Sequence, residues 1–334
     1  MKVLVTGGGG FLGSTVARQL LARGDEVTVL GRGRYPKVEA LGASGLSWDL
    51  SQEKPGLSEA LQGFDAVIHS AARAGVWGSR HDYWSINVEG TRRLVEACEA
   101  AGVPKFVYTG SPSCTFDGSD HENATEADCP YPEDFEAIYP ESKAAAEKLV
   151  LAANGDALAT TSLRPHLIYG PGDPHLLPRV VQRNRAGRLA IVGTGENKVG
   201  ITYVENAAAA HVQALDALGP NSANAGKAYF ITDPEPVAIW TWINRILGEL
   251  GEEPVSRKVP LGVARFGGGL LEGVWELFGL EGEPPMTRFV AAQLASTHWY
   301  DLSAARADFG YAPPVEAAAG FLSTVEDLKA RFSG

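Results

Sequence analysis

The chain has 334 residues, of which 45% are hydrophobic and 21% charged, and its net charge is −11. This length and composition predict a globular protein of roughly two domains and exclude collagen-like, low-complexity and disulfide-framework proteins. The acidic excess, without any run of Lys or Arg, argues against nucleic acid and anionic membrane surfaces as partners.

Cysteine and histidine usage points to a reducing compartment and to metal-free chemistry. Cys98, Cys114 and Cys129 fit neither a disulfide framework nor a zinc site, which predicts reduced thiols. The seven histidines show no paired ligand spacing, so no metal site is expected. The first residues lack the features of a secretory signal, and no apolar stretch is long enough to span a membrane. We therefore expect a cytoplasmic protein.

The first half of the chain alternates short apolar runs with helical patterns. An acidic, Pro-containing stretch, Asp117–Ile138, is predicted to be a long loop. Strands alternating with helices indicate a parallel sheet covered on both faces, and right-handed crossovers then give a doubly wound α/β fold. Strands are predicted at Val3–Thr6, Glu26–Leu30, Leu46–Trp48, Phe64–His69, Lys105–Gly110 and Leu158–Tyr169, and helices at Phe11–Arg23, His81–Ala101 and Tyr139–Ala153.

An amphipathic helix is predicted over Val263–Phe278, because apolar residues recur there at three- and four-residue steps. Arg265, Glu272 and Glu276 fall on its other face. The simpler interpretation is a helix that packs its apolar face on its own domain. The alternative is a wall or lid for an apolar substrate. A helix lying in a membrane surface is disfavoured, since such helices are usually cationic on the polar face. The apolar positions are Val263, Phe266, Leu270, Val274, Leu277 and Phe278.

A glycine-rich loop follows the first strand and opens the first helix, which is the context of a dinucleotide-binding site. Gly7 allows the tight turn, Gly10 lets the backbone approach a pyrophosphate, and Gly13 lets the helix close on the sheet. The helix N-terminus supplies amide donors for the phosphates. The predicted cofactor-binding residues of this loop are Gly7, Gly9, Gly10, Phe11, Leu12 and Gly13.

The end of the second strand predicts the cofactor. NAD sites usually place an acid there to hold the ribose 2′-hydroxyl, whereas this sequence has Arg32 and Arg34 and no acid. An arginine can clamp a 2′-phosphate with two charge-assisted hydrogen bonds. We therefore predict NADP(H), with Arg32 as the main contact and Arg34 as the second; the alternative for both is a solvated surface arginine.

A Tyr-x-x-x-Lys pair, Tyr139 and Lys143, predicts the catalytic centre. Residues four apart on a helix share a face, and a neighbouring ammonium favours the phenolate. Tyr139 can then exchange a proton with a carbonyl or alcohol oxygen. Ser111, and second Ser113, lie at the carboxyl end of the fifth strand, where doubly wound sheets bind ligands. Serines at strand ends are otherwise turn formers.

These motifs resemble the extended short-chain dehydrogenase/reductases, in particular the branch of the 3β-hydroxysteroid and sterol-4α-carboxylate dehydrogenases. Matching segments include TGGGGFLG, VIHSAA, YPESK and LRPHLIYGPGD, and the family's usual second hydroxyl is replaced by Gly110. The resemblance implies Ser111, Tyr139 and Lys143 as the triad. It implies a Rossmann domain over residues 1–170, with returns near 200–218 and 297–310, and a smaller, mostly helical substrate domain over 171–334. Further cofactor contacts implied are Asp49, which is alternatively a helix cap, Leu50, Ala71, Ala72, Asn87, Pro165 and His166.

Within this branch the sequence is most similar to the bacterial 2-alkyl-3-oxoalkanoate reductases of long-chain olefin biosynthesis. That resemblance implies NADPH-dependent reduction of the 3-ketone of a long-chain 2-alkyl-3-oxo acid. The alternatives are a 3β-hydroxysteroid or sterol-4α-carboxylate dehydrogenase, a sugar-nucleotide epimerase or dehydratase, and a redox-sensing protein without catalysis. A homodimer is expected from base rates, and partner enzymes of the pathway remain open. Candidates for binding the substrate carboxylate are Arg73, Arg80, Arg179 and Arg183.

Overall fold

The computed structural model describes residues 1–332 and is built around a parallel sheet covered by helices. Its strands are β1 Lys2–Thr6, β2 Glu26–Gly31, β3 Ser44–Ser47, β4 Ala66–His69, β5 Lys105–Thr109, β6 His121–Ala124, β7 Ala159–Pro165, β8 Ile168–Tyr169, β9 Ile191–Val192, β10 Lys198–Val199, β11 Thr202–Tyr203, β12 Ala228–Ile231, β13 Val237–Ala238, β14 Lys258–Val259 and β15 His298–Tyr300. Its helices are α1 Phe11–Ala22, α2 Pro36–Glu39, α3 Leu57–Ala60, α4 Arg80–Tyr83, α5 Gly90–Ala101, α6 Ile138–Ala152, α7 Leu176–Arg185, α8 Val204–Ala217, α9 Ile239–Glu249, α10 Leu261–Phe278, α11 Arg288–Ala295, α12 Ser303–Phe309 and α13 Ala317–Phe332.

The main sheet has seven strands in the order β12-β7-β5-β4-β1-β2-β3, and every neighbouring pair is parallel. The chain moves outward in one direction from β1 through β2 to β3, then returns to β4 on the other side. The strand order therefore reverses between β1 and β4, and a crevice opens there at the carboxyl ends. This confirms the predicted doubly wound fold with a helical C-terminal part.

Alternate residues of the central strands enter two separate cores, as the pleat requires. Val3 and Val5 of β1 pack with α1 and α8, whereas Leu4 packs on the opposite face with α5 and α6. All three side chains are fully buried. Burial on both faces explains why these strands appear in the sequence as continuous apolar runs.

Three predicted elements differ from the structure in more than the position of their ends. The strand expected over Leu158–Tyr169 is two strands, β7 and β8, because Leu167 adopts a left-handed conformation with φ of 39° and breaks the ladder. The loop Asp117–Ile138 contains β6, which pairs in parallel with β15. The helix over His81–Ala101 begins at Arg80 and runs through a π-helical segment, Trp84–Glu89, before α5.

Helix α10 forms where the apolar periodicity predicts it, but the interpretation that its apolar face packs on its own domain is wrong, and the wall or lid stays a prediction. Phe266, Leu277 and Phe278 are 71%, 78% and 68% exposed, so the apolar stripe faces outward. The inner face is made of Ala264, Gly268 and Glu272 instead. Apolar periodicity locates a helix in the sequence. It identifies the buried face of that helix only when the helix packs its apolar residues against the hydrophobic core. In the described part of the chain no helix is long and apolar enough to cross a membrane.

Two neighbouring glycines of α10 test this orientation. A Cβ at Gly268 would lie 2.7 Å from the backbone carbon of Thr287, whereas a Cβ at Gly267 meets nothing within 4 Å. We expect Gly268→Ala to lower the free energy of unfolding by about 1–3 kcal/mol through overpacking. Gly267→Ala is expected to raise it by up to about 1 kcal/mol through helix propensity. Chemical denaturation measures both, and the opposite ranking would contradict the observed orientation.

Candidate active site

The glycine loop between β1 and α1 has no space for side chains. Gly7 has φ of 67°, and a Cβ there would lie 2.9 Å from the amide nitrogen of Ala71. The amide of Gly10 donates to the Gly7 carbonyl at 2.8 Å, and a Cβ at Gly13 would overlap that same carbonyl oxygen. Within residues 1–332, no side chain caps the N-terminus of α1. The loop therefore forms a cradle with free amide donors, which fits a dinucleotide pyrophosphate.

Buried hydrogen bonds hold this loop against β4. Thr6 Oγ1 lies 2.6 Å from His69 Nδ1, and His69 Nε2 lies 2.9 Å from Thr91 Oγ1. The Ala71 amide donates to Thr6 Oγ1 at 3.1 Å. Burial, with the charge of Lys143 nearby, lowers the pKa of His69 to about 3. His69 is thus a neutral link that fixes the two strand ends that form the cradle.

A cleft of about 350 Å³ extends from this loop along the ends of β1, β2 and β4. Asp49 lines it, and its carboxylate accepts hydrogen bonds from the amide and hydroxyl of Ser51 at 3.0 and 2.7 Å. The next helix begins only at Leu57, so Asp49 caps a turn and the helix-cap alternative is wrong. The predicted cofactor residues that line the cleft are Gly7, Gly10, Arg32, Asp49, Leu50, Ala71 and Ala72.

The two arginines after β2 separate in the structure. Arg32 is exposed and lines the cleft, whereas Arg34 lines a neighbouring hollow and pairs with Glu39 at 2.8 Å. The structure therefore does not bring Arg34 to the cleft. Tyr35, which sequence reasoning missed, lies across the loop: a Cβ at Gly9 or Gly31 would overlap its ring or hydroxyl. Tyr35 thus fills the space of an acidic side chain at the end of β2.

Other predicted cofactor residues lie outside the cleft. Phe11 lines the neighbouring hollow, and the side chain of Leu12 packs from α1 into the hydrophobic core. Pro165 and His166 are buried at the end of β7, where His166 Nδ1 lies 2.5 Å from the Gly200 carbonyl. Asn87 is also buried, in the π-helical segment, where π-turns often reshape functional sites. Its amide group accepts from the Arg73 amide at 2.7 Å and donates to Ser142 Oγ at 2.9 Å, so it braces the loop after β4.

The structure brings Ser111, Tyr139 and Lys143 together at the carboxyl end of β5. Lys143 lies one turn after Tyr139 on α6, and its ammonium donates to the Thr109 carbonyl at 2.5 Å and lies 4.2 Å from the centre of the Tyr108 ring. Ser111 follows β5, and its hydroxyl lies 2.8 Å from that of Ser113. The second predicted serine is therefore a hydrogen-bond partner of the first.

Burial dominates the electrostatics of the triad. It raises the pKa of Tyr139 to about 12, with a hydrogen bond from Ser111 acting in the opposite direction. It lowers the pKa of Lys143 to about 8, opposed by the negative charge of Glu147. At neutral pH the tyrosine is consequently a protonated acid beside a cation, which is the state required of a proton donor to a carbonyl oxygen.

A buried ion pair lies beneath the triad. Glu147, one turn after Lys143, is fully buried and pairs with Arg164 Nη2 at 2.6 Å, also accepting from Ser162 and Tyr131 at 2.6 Å each. A Cβ at Gly110 would lie 2.5 Å from Glu147 Oε2, which explains why no hydroxyl-bearing side chain stands there. The i, i+4, i+8 spacing of Tyr139, Lys143 and Glu147 was the signal in the sequence that could have identified this residue.

A cavity of about 1070 Å³ adjoins the triad through Ala137 and Ile138. Its wall is mixed, with apolar side chains such as Val76, Trp77 and Trp275 beside charged ones. It includes Arg73, Arg179, Arg183 and Arg288 together with Glu136, Glu272, Glu276 and Glu283. Helix α10 supplies Trp275, the buried Glu272 and the exposed Glu276. The cavity thus suits a ligand with an ionised group.

The described residues contain no group of three or more His, Cys, Asp or Glu placed to hold a metal ion. Cys98, Cys114 and Cys129 are free and buried, and burial raises the pKa of each thiol. The thiols therefore stay protonated at neutral pH and are poor nucleophiles.

Comparisons with known proteins agree with this geometry. The model of the 3-beta hydroxysteroid dehydrogenase/isomerase family matches residues 4–261. The chain is 46% identical to the 2-alkyl-3-oxoalkanoate reductase of Stenotrophomonas maltophilia, covering 94% of this chain and 96% of that protein. It is 45% identical to the enzyme of that name from Shewanella oneidensis, covering 92% and 81%. It is 34% identical to the decarboxylating sterol-4-alpha-carboxylate 3-dehydrogenase of Homo sapiens, covering 98% and 88%.

Solved structures confirm the fold. The chain superposes with a TM-score of 0.74 and 22% identity on UDP-glucuronic acid 4-epimerase from Bacillus cereus in complex with NAD, covering 99% of this chain and all of that one. It superposes with a TM-score of 0.76 and 24% identity on a dTDP-glucose 4,6-dehydratase from Streptomyces venezuelae with NAD bound, covering 100% and 98%. The family match and the relatives confirm the predicted resemblance: the chain belongs to the 3-beta hydroxysteroid dehydrogenase/isomerase family and is an oxidoreductase with a cleft fitted to a nicotinamide dinucleotide.

Proposed function

We propose that this protein is an NADPH-dependent reductase that converts the 3-ketone of a long-chain 2-alkyl-3-oxoalkanoic acid to the 3-hydroxy acid. The observation that carries this proposal is the 45–46% identity, over most of the chain, to two enzymes named for that reaction. The charged cavity beside the triad supports it, because a β-keto acid presents a carboxylate close to the reacting ketone. We also propose that the protein acts in the cytoplasm as a homodimer.

The chain's own residues perform the proton chemistry. Tyr139, protonated at neutral pH, donates its proton to the ketone oxygen, while Ser111 hydrogen-bonds that oxygen and orients it. The Lys143 cation favours the phenolate that remains, and the Thr109 carbonyl holds that ammonium in place at 2.5 Å. The bound nicotinamide supplies the hydride that the ketone carbon receives. The glycine cradle and the cleft residues hold the cofactor.

The alternatives differ in what they require of the cavity. A sterol-4α-carboxylate also carries an acid group beside its 3-oxygen, so the charged wall suits it too, whereas a plain 3β-hydroxysteroid leaves the arginines unused. A sugar nucleotide needs a polar pocket, which this cavity provides. The apolar stripe of α10 faces outward, so it does not argue against an epimerase or dehydratase. The missing acid after β2 still does, since those enzymes usually hold NAD.

The test is an absorbance assay at 340 nm with a racemic long-chain 2-alkyl-3-hydroxy acid and each oxidised cofactor in turn. Reduction of NADP⁺ but not NAD⁺ supports both the substrate class and the cofactor. Turnover of a sterol-4α-carboxylate or 3β-hydroxysteroid, with none of the hydroxy acid, would move the protein to the steroid branch. Turnover of neither, with conversion of a UDP-sugar, would support the epimerase alternative.

Arg32 is expected to determine the preference for NADPH. Charge-assisted hydrogen bonds contribute about 1.5–3 kcal/mol each, so we expect Arg32→Ala to raise the KM for NADPH by about 10–100-fold. The KM for NADH, which lacks the 2′-phosphate, should change by less than about twofold. Arg34→Ala is the matched control, because Arg34 pairs with Glu39 outside the cleft. Equal losses with both cofactors, or a larger loss in Arg34→Ala, would contradict this assignment.

A further inference from the structure

Arg73 lies at the boundary between the cofactor cleft and the large cavity. Among the described residues it is the only one that lines both the cofactor cleft and the large charged cavity. Its backbone is fixed by Asn87, which accepts from the Arg73 amide at 2.7 Å and donates to the Arg73 carbonyl at 3.1 Å. The carbon that receives a hydride must lie where these two cavities meet, because it must contact the nicotinamide and the substrate at once.

The side chain of Arg73 lies near Tyr139, with the ring of Tyr83 between them. Its guanidinium carbon lies 5.1 Å from the centre of the Tyr83 ring, and that ring packs edge-on to the ring of Tyr139 at 6.4 Å between centres. One aromatic ring thus separates the cation from the proposed proton donor. Asp82, the acidic partner of Arg73, is 3.3 Å away and 45% exposed. Such an exposed, long ion pair is weak.

Arg73 also retains hydrogen-bonding capacity. Its Nε is buried, and no atom of residues 1–332 accepts a hydrogen bond from it. A buried donor without a partner is rare in native proteins and calls for a ligand or water. Most of the other candidate arginines are already engaged: Arg80 pairs with both oxygens of Glu141 at 2.7 Å, and Arg179 pairs with Glu283 at 2.9 Å.

We propose that Arg73 binds the carboxylate of the substrate and so selects a 3-keto acid over a neutral ketone, an inference that rests on the proposed function. In such a substrate only one carbon separates the carboxylate carbon from the ketone carbon. A cation can reach it only from beside the ketone site, and Arg73 is the arginine that the structure places there. Its planar guanidinium can form two parallel hydrogen bonds to a carboxylate, through Nε and one terminal nitrogen.

This contact fixes the orientation of the ketone. The carboxylate at Arg73 and the ketone oxygen at Ser111 and Tyr139 define two attachment points on one short, three-carbon unit. The alkyl groups must then leave in the remaining directions, into the large cavity. Positioning of this kind accelerates reaction by holding the ketone carbon toward the nicotinamide.

The experiment compares a 2-alkyl-3-hydroxy acid with its methyl ester, each oxidised with NADP⁺ by wild type, Arg73→Gln, Arg73→Lys and Arg183→Gln. The ester keeps the alcohol and alkyl chains but lacks the charge. Truncating one side of a buried, hydrogen-bonded charge pair usually has large effects. We expect Arg73→Gln to lower kcat/KM for the acid by about 100-fold and for the ester by less than about threefold. Arg73→Lys should recover part of the acid activity.

Arg183→Gln is the matched control, because Arg183 lines the same cavity from α7 and has no acidic partner within residues 1–332. We expect it to change the acid-to-ester ratio by less than about threefold. The proposal is overturned if Arg73→Gln loses acid and ester activity equally, or if only Arg183→Gln loses the preference for the acid. Failure of the proposed function gives a different result, since wild type would then oxidise neither compound.

Discussion

Replacing Tyr139 by Phe is expected to lower kcat for the hydroxy acid and the keto acid by about 10²–10⁴-fold, because this is what general acid catalysis typically contributes. The ring is kept, and with it the edge-on packing on Tyr83 at 6.4 Å. Only the hydroxyl is removed. We therefore expect the Kd for NADPH, measured by fluorescence titration, to stay within about twofold of the wild-type value.

Tyr229→Phe is the matched control for this substitution. Tyr229 is buried in β12, and its hydroxyl donates to Asp308 at 2.6 Å. Strand β12 forms the edge of the sheet opposite to β2 and β3, which carry cleft residues. Loss of the Tyr229 hydroxyl is expected to change kcat by less than about twofold. Full activity of Tyr139→Phe would remove Tyr139 from the mechanism, and loss of NADPH binding would indicate a structural role instead.

The raised pKa of Tyr139 predicts different pH dependences for the reduction and the oxidation. With a pKa of about 12, Tyr139 is protonated at neutral pH and ready to donate to a ketone. Oxidation of the alcohol needs the phenolate, so its rate should rise with pH, whereas reduction should not. In the oxidative direction, the positive charge of an oxidised nicotinamide near Tyr139 would favour the phenolate and bring its pKa down from this raised value.

The sequence was sufficient for the parts of the site that depend on backbone geometry. The cradle at Gly7 and Gly10 and the helical spacing of Tyr139 and Lys143 follow from chain-local rules, which a pattern can express. Burial on both faces likewise made β1 and β4 visible as apolar runs. These features are independent of distant contacts, which is why they were predictable.

The sequence was insufficient where distant side chains decide the outcome. Arg34 is only two residues from Arg32 and has the same side chain. Arg34 nevertheless forms an ion pair with Glu39 outside the cleft. The apolar stripe of α10 faces outward because Glu272 on its inner side is bound by the backbone and side chain of Arg288, at 2.7 Å each. Tyr35 gave no pattern at all. Such pairings depend on which residues meet in space, which spacing along the chain does not encode.

The buried pair of Glu147 and Arg164 is expected to give the largest effect on stability. Arg164→Met is expected to lower the free energy of unfolding by about 3–5 kcal/mol at pH 7, because it leaves a fully buried carboxylate without its cation. Arg92→Met is the matched control: Arg92 pairs with Glu89 and Glu96 at 2.7 and 2.6 Å, but on the surface. Exposed pairs contribute little, so its effect should stay below about 1 kcal/mol.

The pH dependence distinguishes a lost ion pair from a packing defect. In the wild type, burial opposes ionisation of Glu147, but the charge and hydrogen bonds of Arg164 hold its pKa below the ordinary 4.5. The carboxylate therefore stabilises the fold above about pH 4.5, and this contribution is lost as pH falls through the folded pKa. In Arg164→Met the cation is lost, and burial, opposed only by the hydrogen bonds from Ser162 and Tyr131, raises the pKa of Glu147 above its wild-type value. The variant then gains stability relative to the wild type as pH falls.

The gap in unfolding free energy between wild type and Arg164→Met should thus narrow between pH 7 and pH 5, measured by urea denaturation at each pH. A gap that stays constant would show that lost packing, not the unpaired charge, is responsible.

The double variant Glu147→Leu with Arg164→Met removes both charges and should recover part of the stability, since apolar replacements of a buried pair are often neutral. Because Glu147 lies one turn below Lys143, this variant should fold but reduce ketones with an altered pH profile. Recovery of stability without recovery of the pH profile would separate the structural role of the pair from its effect on the triad.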